Sequence, residues 1–337
     1  MRRHSNILAK TTTILAASAL LAPLLIMAQQ GLKQPPVKPP VKQDTPDAGD
    51  AVFTSETRLV PLNVTVTDKG GHLVPGLPRS AFQVFENNVP QQIKDFKGED
   101  VPVSLGLIVD NSGSMREKRQ SVESASLALV RDSNKQDEVF VVNFNDEAYL
   151  DTDFTSDIKL MEQGLTKIDS RGGTAMRDAM RMSIDHLRDK ARRDKKVILV
   201  ITDGNDNASV VSLQALVRQA QQDDVLVYAI GLLTEEEKKE ANAAKRALNL
   251  LVESTGGLAF YPKDVSEVEK IAHEVAHDIR NQYTITYSPT NQTLDGSFRQ
   301  IKVAVKSAGT ATARTRLGYY ATREQKKIAS NGSNGIQ

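Results

Sequence analysis

VSLGLIVDNSGSM, residues 103–115, is the stretch whose reading decides the fold. Its first eight residues make an apolar run of strand length that stops on Asp110, and Ser112 and Ser114 follow at alternate positions. A strand apolar at nearly every position predicts burial on both faces, as in a parallel sheet covered by helices. The same texture returns in EVFVVNFN (138–145), KVILVITD (196–203), VLVYAIGL (225–232) and LAFYP (258–262), with AYLDTDF beside the first of these. Helical patterns run to about Arg131 and over 157–168, 175–190, 209–222, 235–254 and 264–281. Within 175–190, Met176, Met180, Ile184 and Leu187 share one face. Strand–helix alternation over 101–281 predicts an α/β fold with a doubly wound, mainly parallel sheet.

On either side of this region the period changes to two. RLVPLNVTVT (58–67) places Val60, Leu62, Val64 and Val66 on one face, and further strands are expected around Phe82–Phe85 and Ile93–Phe96. DKGG (68–71) and the ENN before Val89 mark turns. After Asn281, YTITYS aligns Tyr283, Ile285 and Tyr287, RQIKVAVK aligns Ile301, Val303 and Val305, and TATARTRLGYY closes the set. Each flank is too short to bury a good core alone. The two are therefore expected to pair into one small β-sandwich-like domain that carries the α/β domain as an insertion, whose ends must then lie close together.

The ends of the chain read differently again. Arg2, Arg3 and Lys10 precede the uncharged TTTILAASALLAPLLIMA, which ends at Ala28, the pattern of a secretory signal. An uncleaved membrane anchor is the alternative. Removing residues 1–28 takes three basic and no acidic residues from 43 and 42, leaving a net charge of −2. Residues 29–50 carry five prolines and read as an extended spacer. The expected organisation is a signal peptide at 1–28, a Pro-rich linker at 29–50 and an N-terminal β segment at 51–100. The α/β domain follows at 101–281, then a C-terminal β segment at 282–322 and a disordered tail at 323–337.

Composition excludes several classes. With no cysteine there is no disulfide framework, thiolate metal site or cysteine nucleophile. Tryptophan is absent, aromatics are 5% and the net charge is +1, so neither base stacking nor a basic footprint points to nucleic acid. KARRDKK (190–196) sits between a helix and a strand and reads as a solvated connection.

Ligands of open parallel sheets bind beyond the carboxyl ends of the strands. Asp110-x-Ser112-x-Ser114 follows the first strand there, RGGT (171–174) brings Thr174 to the start of a helix, and ITDGNDN puts Asp203 at the end of another strand. Two carboxylates and three hydroxyls make an all-oxygen donor set suited to a hard cation such as Mg²⁺, with Mn²⁺ or Ca²⁺ as alternatives. Taken one at a time, Ser114 and Thr174 equally suit helix caps, and Asp203-Gly204 an ordinary turn. DGNDNAS (203–209) is not an EF-hand loop, because its sixth position is Ala208 and its twelfth Gln214.

Together, D-x-S-x-S, the threonine after a glycine pair and the aspartate of T-D-G resemble the metal-ion-dependent adhesion site (MIDAS) of von Willebrand factor type A (VWA) domains, over about 101–281. The flanking L-x-V-T-V-x-D-x-x-G and Y-x-I-x-Y-S-P through R-x-G-Y-Y are similar to secreted bacterial VWFA-related proteins. The resemblance implies that Ser112, Ser114 and, with ligand bound, Thr174 coordinate the metal. It implies that Asp110 and Asp203 hold it directly or through water, and that a partner protein's Asp or Glu carboxylate fills the open position. Arg171, Asn205, Asp206 and Asn207 would surround the ion, either tuning partner choice or serving as solvated turn residues. In related adhesion domains the last helix, here 264–281, shifts on engagement.

The expected function is a non-enzymatic, metal-dependent protein-binding module, for adhesion or scaffolding, of an exported protein of the periplasm, cell surface or extracellular space. No nucleic-acid partner is expected, and no membrane span in the mature chain. One alternative is a structural envelope protein whose metal serves stability alone. The other is a Mg²⁺-dependent phosphoryl-transfer hydrolase. A serine hydrolase needs a histidine beside Ser112 or Ser114, yet His186, His273 and His277 all fall on helix patterns, and no G-x-S-x-G is present. Phosphoryl transfer wants a second carboxylate where Ser112 stands, and no G-x-x-x-x-G-K-[ST] occurs.

Overall fold

The computed structural model describes residues 58–98, 100–132, 134–166, 171–204, 206–233, 238–306 and 311–322. The expected signal segment, linker and tail, and Asn205, lie outside these residues. The chain divides into two units, Met1–Thr54, wholly outside the described residues, and Ser55–Gln337, which holds everything below. Three strands come first: β1 (Val60–Thr67), β2 (Phe82–Glu86) and β3 (Val89–Lys97). Next are β4 (Val103–Asp110), α1 (Arg119–Arg131), β5 (Glu138–Phe144), β6 (Ala148–Thr155), α2 (Ile158–Thr166) and α3 (Met176–Lys190). They are followed by β7 (Lys195–Thr202), α4 (Leu213–Gln222), β8 (Val225–Gly231), α5 (Lys238–Thr255), β9 (Ala259–Phe260) and α6 (Val268–Arg280). The last are β10 (Tyr283–Ser288), β11 (Phe298–Val305), β12 (Thr312–Arg314) and β13 (Gly318–Tyr320).

The apolar runs build a six-stranded sheet in the order β6-β5-β4-β7-β8-β9, parallel throughout except for the antiparallel edge pair β5–β6. β4 is buried at every residue because both of its faces are covered. Leu105, Leu107 and Val109 point into a core shared with Val122 and Leu129 of α1 and Val275 of α6. Ile108 points the other way, into a core with Phe140, Met180, Ile184, Val200 and Leu216 under α3 and α4. Burying each such side chain contributes about 1.5–3 kcal/mol, and the two-sided burial explains why apolar residues dominate these strands.

The flanking strands form a single antiparallel sheet in the order β12-β1-β10-β3-β2-β11-β13. β10, from beyond the α/β region, lies between β1 and β3, pairing Leu62 with Ile285 and Phe96 with Ile285 on its two sides. The sheet curls until β11 also meets β12, so it encloses its own core of Val60, Leu62, Val64, Val84, Tyr283, Ile285 and Tyr287 instead of stacking two separate sheets. Asn87 and Asn88 both have positive φ, at 47° and 65°, the backbone of a two-residue hairpin between β2 and β3. Buried Glu86 is satisfied inside this core by the hydroxyls of Tyr287 (2.7 Å) and Tyr319 (2.8 Å).

Two polar features depart from the sequence reading. The run 190–196 is not a solvated connection throughout: β7 begins at Lys195, pairing with Val103, and this lysine is 5% exposed. Its Nζ donates to the carbonyl of Ile279 (2.5 Å), while Arg192 Nε donates to the buried Glu138 (2.7 Å). A buried network also ties the two sheets together. Asp278 of α6 accepts from Tyr228 Oη of β8 (2.5 Å) and from Arg314 of β12 (2.6 Å). Gln282 Nε2 donates to Tyr228 Oη (3.1 Å) and to Thr65 Oγ1 of β1 (3.0 Å). Among the described residues no helix is long and apolar enough to cross a membrane.

Candidate metal centre

The chain leaves β4 for β5 on one side and later returns to β7 on the other, so the carboxyl edge of β4 is a topological switch point. The loops after β4 and β7 end there, and the 171–174 loop joins them through backbone bonds from Arg171 N to Asn111 O (3.1 Å) and Gly113 N to Gly172 O (3.5 Å). Of the five oxygen-bearing residues singled out in the sequence, Asp110 closes β4 and the other four lie on these three loops.

Their side chains form a connected set. Ser112 Oγ and Ser114 Oγ are 3.1 Å apart, and Ser114 Oγ donates to Asp203 Oδ1 at 2.8 Å. Thr174 Oγ1 lies beside the Asp203–Gly204 turn, 3.5 Å from where a Cβ on Gly204 would stand. Asp110 is deeper, at 1% exposure: its Oδ1 accepts from Ser112 N–H (2.8 Å) and its Oδ2 from the Thr202 hydroxyl (2.5 Å). Burial pushes the Asp110 carboxyl up to about 6, against the opposing pull of the Thr202 and Ser112 hydrogen bonds, and the nearby Asp203 adds to the rise. Lys118 Nζ reaches the second oxygen of Asp203 at 2.5 Å.

Octahedral Mg²⁺ with bonds of 2.0–2.1 Å needs neighbouring ligand oxygens about 2.9 Å apart. The 3.1 Å and 2.8 Å steps from Ser112 to Ser114 to Asp203 match two such edges. The residues therefore fit a small hard cation. Among the described residues no three His, Cys, Asp or Glu side chains gather to hold an ion, so this donor set relies on its hydroxyls.

The readings as caps fare poorly against this geometry. The helix expected near Met115 begins only at Arg119, after a short 3-10 turn at Gly113–Met115, and Ser114 Oγ points to Asp203. Ala175, not Thr174, precedes the first residue of α3, with no side-chain cap bond. Thr174 is instead held by its backbone: its N–H donates to Asn207 Oδ1 (2.9 Å), and its carbonyl accepts from the N–H groups of Asn207 and Ala208 (3.1 and 3.2 Å).

The surrounding loop residues act as clamps. Asp206 accepts from Arg177 N (2.7 Å), Arg177 Nη2 (2.9 Å) and Ser209 Oγ (2.7 Å), and Asp178 accepts from the N–H groups of Val210 and Val211. Gly172 adopts φ +80°, where a Cβ would stand 2.0 Å from Asp146 Oδ2, and Asp146 Oδ1 in turn accepts from Gly173 N at 2.7 Å. The sequence reading missed Thr202, Asp146 and Lys118. Thr202 was within reach as the neighbour of Asp203, and Lys118 as the residue one helical turn beyond Ser114. Asp146 carried no local signal, since its role depends on the end of β5 meeting the 171–174 loop.

A family model for the von Willebrand factor type A domain matches residues 105–274. No curated protein matches the chain. Among solved structures, the chain is similar to a von Willebrand factor type A protein from Catenulispora acidiphila, at 13% identity over 81% of this chain and 76% of that one, with a TM-score of 0.47. It is similar to the vWF domain of the type V pili tip protein Mfa5 from Porphyromonas gingivalis, at 13% identity, 54% and 97% coverage and a TM-score of 0.43. It is also similar to proximal thread matrix protein 1 from the mussel byssus, solved with a zinc-occupied MIDAS motif, at 17% identity and a TM-score of 0.46. There the match covers 58% of this chain and only half of that one. The family model spans half of the 337 residues, and the chain belongs to the von Willebrand factor type A domain family.

Proposed function

We propose that this protein is an exported, non-enzymatic binding module that holds a divalent cation with Asp110, Ser112, Ser114, Thr174 and Asp203 and uses it to grip a carboxylate of a protein partner. The observation that carries the reading is the oxygen set Ser112–Ser114–Asp203, spaced at 3.1 and 2.8 Å at the switch point of a VWA sheet. A bound Mg²⁺, or Mn²⁺ in its place, supplies a Lewis-acidic point charge for an incoming Asp or Glu side chain. The chain's own part is orientation. Ser112 N–H and Thr202 Oγ1 fix both oxygens of Asp110, and Asn207 and Ala208 hold the backbone of Thr174. The same two bonds, with 1% exposure, leave Asp110 badly placed as a phospho-accepting nucleophile, which favours binding over phosphoryl transfer.

Mn²⁺ titration of the purified chain, followed by electron paramagnetic resonance, tests the metal. One ion per chain is expected, with binding lost in the Asp110→Ala/Ser112→Ala double variant while its circular dichroism is retained. Absence of Mn²⁺ binding by both the parent chain and its Lys118→Gln variant sinks the reading. A structural role for the metal predicts that EDTA lowers thermal stability and leaves capture of envelope proteins unchanged. The binding module predicts that this capture disappears with EDTA and in the double variant.

A further inference from the structure

We infer that Lys118 is a built-in counter-charge of the metal centre, which holds the site's affinity for a cation low and makes the loaded site demand an anion. The inference rests on the metal reading above and concerns a residue outside its ligand set.

Lys118 is placed by structure rather than by chance. It stands at the N-terminal boundary of α1, where its N–H donates to Met115 O (3.0 Å) and its carbonyl accepts from Val122 N (3.1 Å). Its side chain makes no helix-capping bond and runs instead to Asp203 Oδ2 at 2.5 Å, with Leu232 O at 3.5 Å on the far side. Leu232 is itself anchored, its N–H donating to Thr202 O (2.8 Å) at the end of β7. The Asp203 side chain is 1% exposed and that of Lys118 18%, so water screens the pair weakly. Asp203 thus divides its two oxygens, Oδ1 toward the serines and Oδ2 toward the lysine.

The charges give the consequence. Asp110 and Asp203 carry −2, which alone would neutralise a divalent ion. Lys118 reduces that to −1, so the loaded site is left at +1 until an anionic group arrives. A cation and an anion then bind with positive coupling, each tightening the other equally. A unit charge separated from a divalent one by a single carboxylate costs at least about tenfold in affinity even with the screening of bulk water.

The test compares the parent chain with Lys118→Gln, which keeps a donor for Asp203 Oδ2 without the charge, and with Lys118→Arg, which keeps the charge. Mn²⁺ is titrated into each by electron paramagnetic resonance, with and without acetate as the carboxylate probe. Lys118→Gln is expected to bind Mn²⁺ at least about tenfold more tightly than the parent. Acetate is expected to tighten Mn²⁺ binding by the parent and Lys118→Arg and to have little effect on Lys118→Gln. Binding by Lys118→Gln alone, with none by the parent, also supports the inference. Equal Mn²⁺ affinity in parent and Lys118→Gln overturns it while leaving the metal site standing. Binding by neither chain overturns both.

Discussion

Lys195 puts a charge where packing leaves it little water. Burial lowers its pKa from 10.5 to about 8, only partly offset by the carboxylates of Asp278, Asp100 and Asp137. A lysine whose folded value is depressed penalises the fold while it stays protonated. The penalty is complete below about pH 8 and fades as pH rises toward 10.5, so this residue's contribution to stability rises with pH across that window. Urea unfolding of the parent and Lys195→Met from pH 7 to 10.5 should show the difference moving in favour of the parent by on the order of 2–3 kcal/mol. Parallel pH curves would show that the ammonium is well solvated. His186 makes the opposite point, since its ring packs against both Phe140 and Phe154 and bonds Asp153 (2.9 Å), a packing role.

At the scale of elements, the candidate metal centre depends on loops that helices and strands merely deliver. The 171–174 loop turns through Gly172 in a left-handed conformation, and Asp146 fills the space a side chain would need. Gly172→Ala should therefore displace Asp146, release Gly173 N–H and shift Thr174. The expected result is Mn²⁺ binding weakened about tenfold or more, the loss of one well-placed ligand, with the α/β secondary structure kept. Unchanged affinity with a folded chain would remove Thr174 from the ligand set. The strands themselves were legible: VSLGLIVD and EVFVVNF are buried along their whole lengths and KKVILVIT at all but Lys196, and a near-continuous apolar run is a direct signature of two covered faces. The start of α1 was less legible, because a 3-10 turn lies between Ser112 and Arg119 where the residue pattern already looks helical.

At the scale of the molecule, the polar network around Asp278 joins β1 and β12 of the curled sheet to β8 and α6 of the parallel one. We keep as a proposal the division into an α/β domain at 101–281 inserted between β segments 51–100 and 282–322. The network implies that the two parts share stability. Arg314→Met removes the cation facing Asp278, whose side chain is 8% exposed, and also the bond from Arg314 to Gly256 O. A loss of about 3 kcal/mol is expected in chemical denaturation, partly recovered by adding Asp278→Asn, because the uncompensated buried carboxylate is the main cost. Additive effects of the two substitutions would mean that the pair is not coupled.

Local pattern by itself determined most elements of this protein and the all-oxygen character of its candidate site. Apolar periodicity reports which faces are covered, and oxygen-bearing residues after strand ends announce a hard donor set wherever those ends converge. Residues such as Asp110, Ser114, Thr174 and Asp203 could be named in advance as candidates because each sits at a legible boundary of an element. Only the tertiary structure decided how β10 slots between β1 and β3, which carboxylate oxygens face the serines, and that Lys118 and Thr202 complete the charge and hydrogen-bond pattern. Those outcomes depend on pairing between distant segments and on the directions of single side chains. Neither is encoded in the period of any one segment.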